Sequence, residues 1–223
     1  MSDIMIKVDN LEKDFRRGSE VIRAVNGISF EVPRGQLVAI TGASGAGKTT
    51  LLSCIGLLEK PSSGSITIND KPIKGISETG MTVLRRQLMG FVFQRFFLIP
   101  TLSALENVML PLSFAGRSKP RSEVIELMKK LGMGERINHR PGQLSGGEMQ
   151  RVAIARALVL DPPVIIADEP TGNLDSSNAN LMFDLLRKLS SEGKTVLVAT
   201  HSEHLAKACD RIIHLMDGKV VQQ

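Results

Sequence analysis

The chain has 223 residues, enough for one domain with a substantial core and an inserted subdomain. Hydrophobic residues make up 42% of it and charged residues 23%, so a disordered or fibrous chain is excluded. The net charge of +5 is dispersed, and without Tyr or Trp few rings are present to stack on bases, so nucleic acid is not an expected partner.

No apolar run approaches the roughly 20 residues that a membrane-spanning helix needs. Charged residues interrupt the first ten positions, which lack the apolar region of a signal peptide. Cys54 and Cys209 are predicted to be reduced thiols. We therefore expect a cytoplasmic location, with contact to a membrane only through a partner.

The first part of the chain is predicted to consist mainly of strands. In chain order we predict strands at 4–8, 27–32 and 36–41, a helix from 48 to about 58, and strands at 65–69 and 89–93. The next block is helical, with apolar residues three and four apart at 101–112, 122–131 and 147–160.

Strands and helices then alternate to the end of the chain. We predict strands at 164–168, 195–200, 211–216 and 219–221, and helices at 176–191 and near 203–209. This alternation predicts an α/β fold with a mainly parallel sheet. Residues 1–94 and 162–223 would form the α/β core, with an antiparallel β part at the N-terminus, and 95–161 would form an inserted helical subdomain.

A Gly-rich loop lies between a predicted strand and a predicted helix and fits the pattern G-x-x-x-x-G-K-[ST]. Glycines let successive backbone N–H groups point at phosphate oxygens, and the helix N-terminus favours the same anion. Lys48 should reach the outer phosphates of a nucleotide, and the Thr49 hydroxyl should bind Mg²⁺. The expected contacts are Gly42, Ala43, Ser44, Gly45, Ala46, Gly47, Lys48, Thr49 and Thr50.

Two acidic residues, Asp168 and Glu169, end the apolar run 164–167. Ligands of a parallel sheet bind at the carboxyl ends of its strands, so both acids should emerge beside the Gly-rich loop. Asp168 then fits a Mg²⁺ ligand, and Glu169 fits the base that orients or deprotonates a water molecule.

The segment Leu144-Ser-Gly-Gly-Glu148, with the helix after it, resembles the LSGGQ signature of the ATPase domain of ABC transporters, with Glu replacing the usual Gln. Ser145 and Glu148 also match a helix capping box, and both interpretations can hold. The resemblance covers essentially the whole chain, and it implies a P-loop NTPase (RecA-like) core that binds ATP and Mg²⁺ and hydrolyses ATP.

The resemblance also implies roles for single residues. Gln94 resembles the Q-loop glutamine, which takes part in catalysis and in binding the metal. Asp175 resembles the D-loop aspartate. His201 resembles the switch histidine, which lies beside the γ-phosphate. Phe15 falls where the family places an aromatic residue on adenine, although simple packing is the alternative. His201 and His204 could suggest a metal site, but a third ligand is not apparent.

In this family the signature segment closes over ATP held by another subunit. The resemblance therefore implies that Ser145, Gly146 and Gly147 act on the ATP of a second copy, in a head-to-tail homodimer. The segments 93–100, 105–112 and 167–175 resemble a subgroup that contains lipoprotein-releasing, macrolide-exporting and cell-division ATPases.

The subgroup implies an ATP-hydrolysing motor on the cytoplasmic face of the inner membrane, peripheral to it, that drives a separate transmembrane permease. The alternative is a regulatory ABC ATPase of a cell-division membrane complex that transports nothing. The apolar stretch 96–112 could line a groove for the permease or belong to the core of the helical subdomain.

Overall fold

The structure is a computed structural model and describes residues 3–222. Its strands are β1 (Ile4–Arg17), β2 (Glu20–Pro33), β3 (Leu37–Thr41), β4 (Ser63–Ile68), β5 (Lys71–Pro72), β6 (Met89–Phe93), β7 (Val164–Asp168), β8 (Thr195–Ala199), β9 (Arg211–Met216) and β10 (Lys219–Gln222). Its α-helices are α1 (Lys48–Ile55), α2 (Glu78–Leu88), α3 (Ala104–Phe114), α4 (Arg121–Lys130), α5 (Gly146–Leu158), α6 (Ser176–Ser191) and α7 (Glu203–Lys207). Two short 3₁₀ turns lie at Gly134–Arg136 and Pro141–Gln143.

The strands form two sheets. The first is antiparallel, in the order β2-β1-β4-β5, and the second has the order β10-β9-β3-β8-β7-β6. Strands β9, β3, β8, β7 and β6 run parallel, and only β10 is antiparallel to its neighbour. The predicted α/β fold, with a mainly parallel sheet and an antiparallel N-terminal part, is confirmed.

Alternate residues of the parallel strands face two separate apolar clusters. Val38 and Ile40 of β3 point into the cluster that includes α1 and the antiparallel sheet. Leu37 and Ala39 point to the opposite face, into the cluster shared with α3, α5 and α6. A strand with both faces buried is apolar throughout, which explains why the strand leading to the Gly-rich loop could be recognised in the sequence.

Within the helical block, α3 packs on α4 and α5. The apolar stretch 96–112 divides between two environments. Phe97 and Ile99 are exposed, whereas Leu105, Val108 and Leu112 of α3 are buried. The α3 half of this stretch therefore belongs to the core of the helical subdomain, and a groove for the permease stays a prediction for the exposed half. No helix within residues 3–222 has the length and apolar character needed to cross a membrane.

Four elements differ from the sequence-based expectations. Strands β1 and β2 have 14 residues each and pair through several register shifts, which break the alternation that marks a strand. Helix α2 was not predicted because, of its eleven residues, only Met81 and Leu88 are buried. Helix α1 ends at Ile55 rather than near Leu58, since Leu57 takes a left-handed φ of 59°.

Candidate functional site

The Gly-rich loop joins β3 to α1 and is packed closely on neighbouring backbone. A Cβ at Gly42, where φ is 144°, would lie 2.4 Å from the Leu215 carbonyl oxygen. A Cβ at Gly47, where φ is 100°, would lie 2.2 Å from the Ala24 carbonyl oxygen. Both positions therefore require glycine for conformation and for space. Contacts with β9 and β2 hold the loop in shape.

Lys48 is the first residue of α1 and folds back over the loop. Its Nζ donates hydrogen bonds to the carbonyl oxygens of Gly42 (2.8 Å) and Ala43 (3.0 Å). No side chain among the described residues caps the N-terminus of α1. The first N–H groups of α1 and the Lys48 ammonium group are thus directed to one place, which suits an anion.

The side chain of Asp168 meets that of Thr49 at the carboxyl end of β7. The Thr49 hydroxyl donates to Asp168 Oδ1 at 3.3 Å. Burial raises the pKa of Asp168, as does the charge of Glu169, although the bond from Thr49 acts in the opposite direction. This set of donor groups fits Mg²⁺, because it contains a hydroxyl and a partly buried carboxylate beside a second acid. The cation would offset the negative charge of the two acids.

Glu169 has a left-handed backbone, with φ of 47°, and its N–H donates to the Ala199 carbonyl at 3.0 Å. His201 Nδ1 lies 2.9 Å from Glu169 Oε2. Among residues 3–222 this is the only polar contact of that buried oxygen. The geometry of this approach does not satisfy that of a hydrogen bond, so the two groups are juxtaposed as a close contact in which Nε2 takes no part.

These groups surround one cavity of about 520 Å³. It is lined by Ala24, Ser44, Gly45, Gly47, Lys48, Thr49, Thr50, Gln94, Glu169 and His201. The Gln94 carbonyl oxygen accepts a hydrogen bond from Asn173 Nδ2 at 2.9 Å, which ties the end of β6 to the segment after β7. Residues that are remote in sequence thus converge, and a volume in this range suits a small-molecule ligand.

The remaining predicted residues lie outside this set of lining residues. Ser145 caps α5 through a complete capping box with Glu148, and Glu148 also accepts a bond from Arg136 Nε at 2.9 Å. The Ser145 N–H and Arg136 lower the pKa of Glu148 to about 2. Asp175 caps α6, and its pKa is lowered mainly by the N–H of Asn178 and also by the Ser177 hydroxyl.

Phe15 lies on β1, opposite Ile22 of β2. Its side chain is partly exposed, and Lys13 Nζ lies 5.0 Å from the centre of its ring. Lys13 itself is fixed by Glu59 and by the Lys60 carbonyl oxygen. A cation therefore covers part of the ring and leaves the rest of it accessible.

Sequence reasoning missed several residues around the cavity. Ala24 lines it and belongs to no motif, and Asn173 contacts Gln94 across 79 positions of sequence. Gln150, buried on α5, donates from Nε2 to the Pro170 carbonyl at 2.9 Å. The only signal for Gln150 in the sequence was an amide side chain on an otherwise apolar helix face. Such a position indicates a hydrogen bond but not the group that accepts it.

The comparisons with known proteins agree with this geometry. A family model described as "ABC transporter" matches residues 25–172. The lipoprotein-releasing system ATP-binding protein LolD of Paramagnetospirillum magneticum is 44% identical, and the alignment covers 100% of both chains. The macrolide export ATP-binding/permease protein MacB of Hyphomonas neptunium is 41% identical over 99% of this chain, which spans only 35% of that longer protein.

Two solved structures of the ATP-binding cassette MJ0796, from Methanocaldococcus jannaschii, are also similar. Each has a TM-score of 0.90, with 44% and 43% identity, and each match covers 98% of this chain and 97% of the other. One is described as a dimeric cassette, the other as a dimeric post-hydrolysis state with bound ADP and Pi.

Proposed function

Because this chain belongs to the ABC transporter family and is one of its ATPases, we propose that two copies of it enclose two ATP molecules and drive a separate membrane permease. The observation that supports this most directly is that the expected site residues fall into two groups at different places on the chain. Lys48, Asp168, Glu169 and His201 converge on or beside one cavity, while Ser145 and Asp175 lie elsewhere on the surface.

Within one subunit the Gly-rich loop and Lys48 bind the phosphates. Lys48 Nζ already lies over the loop carbonyls, so a short movement of its side chain would bring it to the terminal phosphate. The unshared N–H groups at the start of α1 would take part of the phosphate charge. Phe15 would contact the adenine with the part of its ring that Lys13 leaves open.

Glu169 would act as the general base. Water attacks the terminal phosphorus, its proton passes to the Glu169 carboxylate, and the bond between the terminal phosphorus and the bridging oxygen breaks to leave ADP. His201 Nδ1 lies 2.9 Å from Glu169 Oε2, so His201 would orient the carboxylate and steady the terminal phosphate with Nε2. Thr49, Asp168 and the Gln94 side-chain amide are the groups that would hold Mg²⁺, which when bound would offset negative charge on the phosphates.

The signature segment requires a second subunit. Ser145, Gly146 and Gly147 begin α5 away from the cavity of their own chain, and in a head-to-tail pair they would close over the nucleotide of the partner. The MJ0796 cassette of known structure is dimeric, which supports the same assembly here. Closure and reopening of this pair would be the mechanical output.

A second surface would receive the permease. A cavity of about 400 Å³, lined in part by Leu58, Phe91, Phe93 and Phe97, forms an apolar groove. An adjoining cavity of about 350 Å³ shares these four residues and continues towards Thr49, Gln94 and Asp168. Arginines lie at the margin of the groove, among them Arg85 and Arg86. A permease segment with apolar and acidic side chains would complement it, placing the chain peripherally on the cytoplasmic face of the inner membrane.

The relatives LolD and MacB support a permease of the lipoprotein-release or macrolide-export type. The regulatory alternative, an ATPase of a cell-division complex that transports nothing, is less well supported by these relatives. Residues 1–94 and 162–223 would carry nucleotide, and 95–161 would move as the helical signature subdomain.

The Glu169→Gln variant tests this proposal. It removes the proton acceptor but keeps the size of the side chain, so it should bind ATP, stop hydrolysing it and accumulate as a dimer. Since the chain has no Trp or Tyr, sedimentation or light scattering is the suitable assay of dimer formation. Hydrolysis by Glu169→Gln at the parent rate would show that another group is the base. Absence of an ATP-dependent dimer would contradict the paired assembly.

A further inference from the structure

The N-termini of α5 and α6 lie against each other on the surface of one chain. A Cβ at Gly146 would be 3.8 Å from the Asn173 carbonyl oxygen and 3.9 Å from Leu174 Cδ2. A Cβ at Gly147 would be only 2.3 Å from Asn178 Oδ1. The start of the signature helix is therefore packed on the first turn of α6, and Asn178 makes the closest approach.

The Asn178 side chain also holds Asp175. Its Nδ2 donates to Asp175 Oδ2 at 2.8 Å, and its backbone N–H donates to Asp175 Oδ1 at 2.9 Å. The Ser177 hydroxyl adds a bond of 2.6 Å to the same Oδ1. Both carboxylate oxygens are thus engaged, which fixes the rotation of the carboxylate as well as its position.

Capping of α6 does not require the amide of residue 178. An N-cap needs its side-chain oxygen to accept from a backbone N–H in the first turn, and the N–H of residue 178 is present whatever its side chain. The amide contributes something additional: it connects Asp175, through Nδ2, with the backbone of Gly147, which faces Oδ1.

We propose that Asn178 is a positioning residue, which fixes Asp175 relative to the start of α5 so that Asp175 and Ser145 meet a second copy of this chain in register. The inference rests on the proposed head-to-tail pairing, in which these two exposed residues face the partner, whereas Gly147 is buried within its own subunit. A preassembled contact surface strengthens association because less freedom has to be lost when the two copies meet. Loss of the amide therefore weakens the pair without altering how one subunit binds ATP.

The test uses the full chain carrying Glu169→Gln, in which ATP-dependent dimers accumulate. Asn178→Ala is compared with Asn180→Ala, an exposed asparagine two positions along the same helix. The dimer dissociation constant in ATP is measured by sedimentation, and ATP binding to the single subunit by equilibrium dialysis at low protein concentration. Asn178→Ala should raise the dimer constant roughly tenfold, about the effect of one lost hydrogen-bonded contact, and leave subunit affinity unchanged. Asn180→Ala should change neither.

A charge exchange separates positioning from simple loss of stability. Asn178→Asp places a second carboxylate beside that of Asp175. When Asp175→Asn is added, a hydrogen-bond donor again faces an acceptor, and the side chain at position 175 can still cap α6. The double variant should dimerise more tightly than the two single effects predict. Strictly additive effects, or an unchanged dimer constant for Asn178→Ala, would overturn the inference. If the Glu169→Gln parent itself forms no dimer with ATP, the proposed function fails, and the inference fails with it.

Discussion

Arg156 on α5 is a cation held by backbone carbonyls, and its removal gives a prediction of defined size. Its guanidinium donates to the carbonyl oxygens of Phe97 (2.5 Å) and Phe96 (2.7 Å). Burial lowers the pKa of Arg156, and no carboxylate within residues 3–222 forms a salt bridge with it. A partly buried charge with such partners indicates that its function is to hold this turn, where Phe97 takes a left-handed φ of 47°.

The magnitude for Arg156→Met follows from opposing effects. Two hydrogen bonds from a charged donor contribute about 1.5–3 kcal/mol each. Other effects oppose this loss. Removing the guanidinium also removes its desolvation cost, and the freed turn can hydrate its carbonyl groups and relax the left-handed residue. Together these changes regain about 1–2 kcal/mol. Met keeps most of the aliphatic packing. The expected net loss in the free energy of unfolding is about 1–5 kcal/mol.

The assay has a global and a local part. Urea denaturation measures the free energy of unfolding, and hydrogen exchange measures opening around the Ile99 amide, which donates to Asn107 Oδ1 at 2.7 Å beside this turn. Arg187→Met is the matched control, since Arg187 is exposed and also donates to a backbone carbonyl, that of Ala208. Equal losses for the two variants, or unchanged exchange at Ile99 in Arg156→Met, would refute the argument that Arg156 holds the turn.

Two further predictions concern the anion site and the signature helix. Lys48→Ala should lower ATP affinity by at least tenfold, because within residues 3–222 Lys48 is the only lysine or arginine that lines the cavity. Equilibrium dialysis with labelled ATP measures this affinity, and an unchanged value would contradict the prediction. Glu148 has a pKa of about 2 against an ordinary 4.5, so its contribution to stability is complete above pH 4.5 and lost as the pH falls towards 2. Glu148→Gln should therefore lower the melting temperature at pH 6 and have little effect near pH 2; a difference that is constant between these values would contradict this.

The residues that the fold brings together at the cavity belong to short local patterns. The Gly-rich loop, the apolar strand before it and the acids after β7 are each contained in a short stretch of sequence, and the parallel sheet brings their ends together. Helix α2 escaped prediction because it is polar on average and buries only Met81 and Leu88, so few apolar residues mark it.

Contacts between distant segments could not be predicted from the sequence. Arg156 meets the Phe96 carbonyl across 60 positions, and Asn178 meets Gly147 across 31. Neither contact leaves a local signal, since an arginine or asparagine on a helix is ordinarily a solvated surface residue.

These distant contacts have one element in common, the helix α5. It touches the start of α6 at Gly147, the Pro170 carbonyl after β7 at Gln150, and the turn after β6 at Arg156. Nine residues separate the first contact from the last, a distance of about 13.5 Å along a helix. A helix of this length moves as a rigid body, so a rotation of α5 caused by a partner at its N-terminus would displace all three contacts together. The apolar groove containing Phe97 is therefore mechanically connected to the signature segment through one helix, with Arg156 at the groove end and Asn178 beside the signature end.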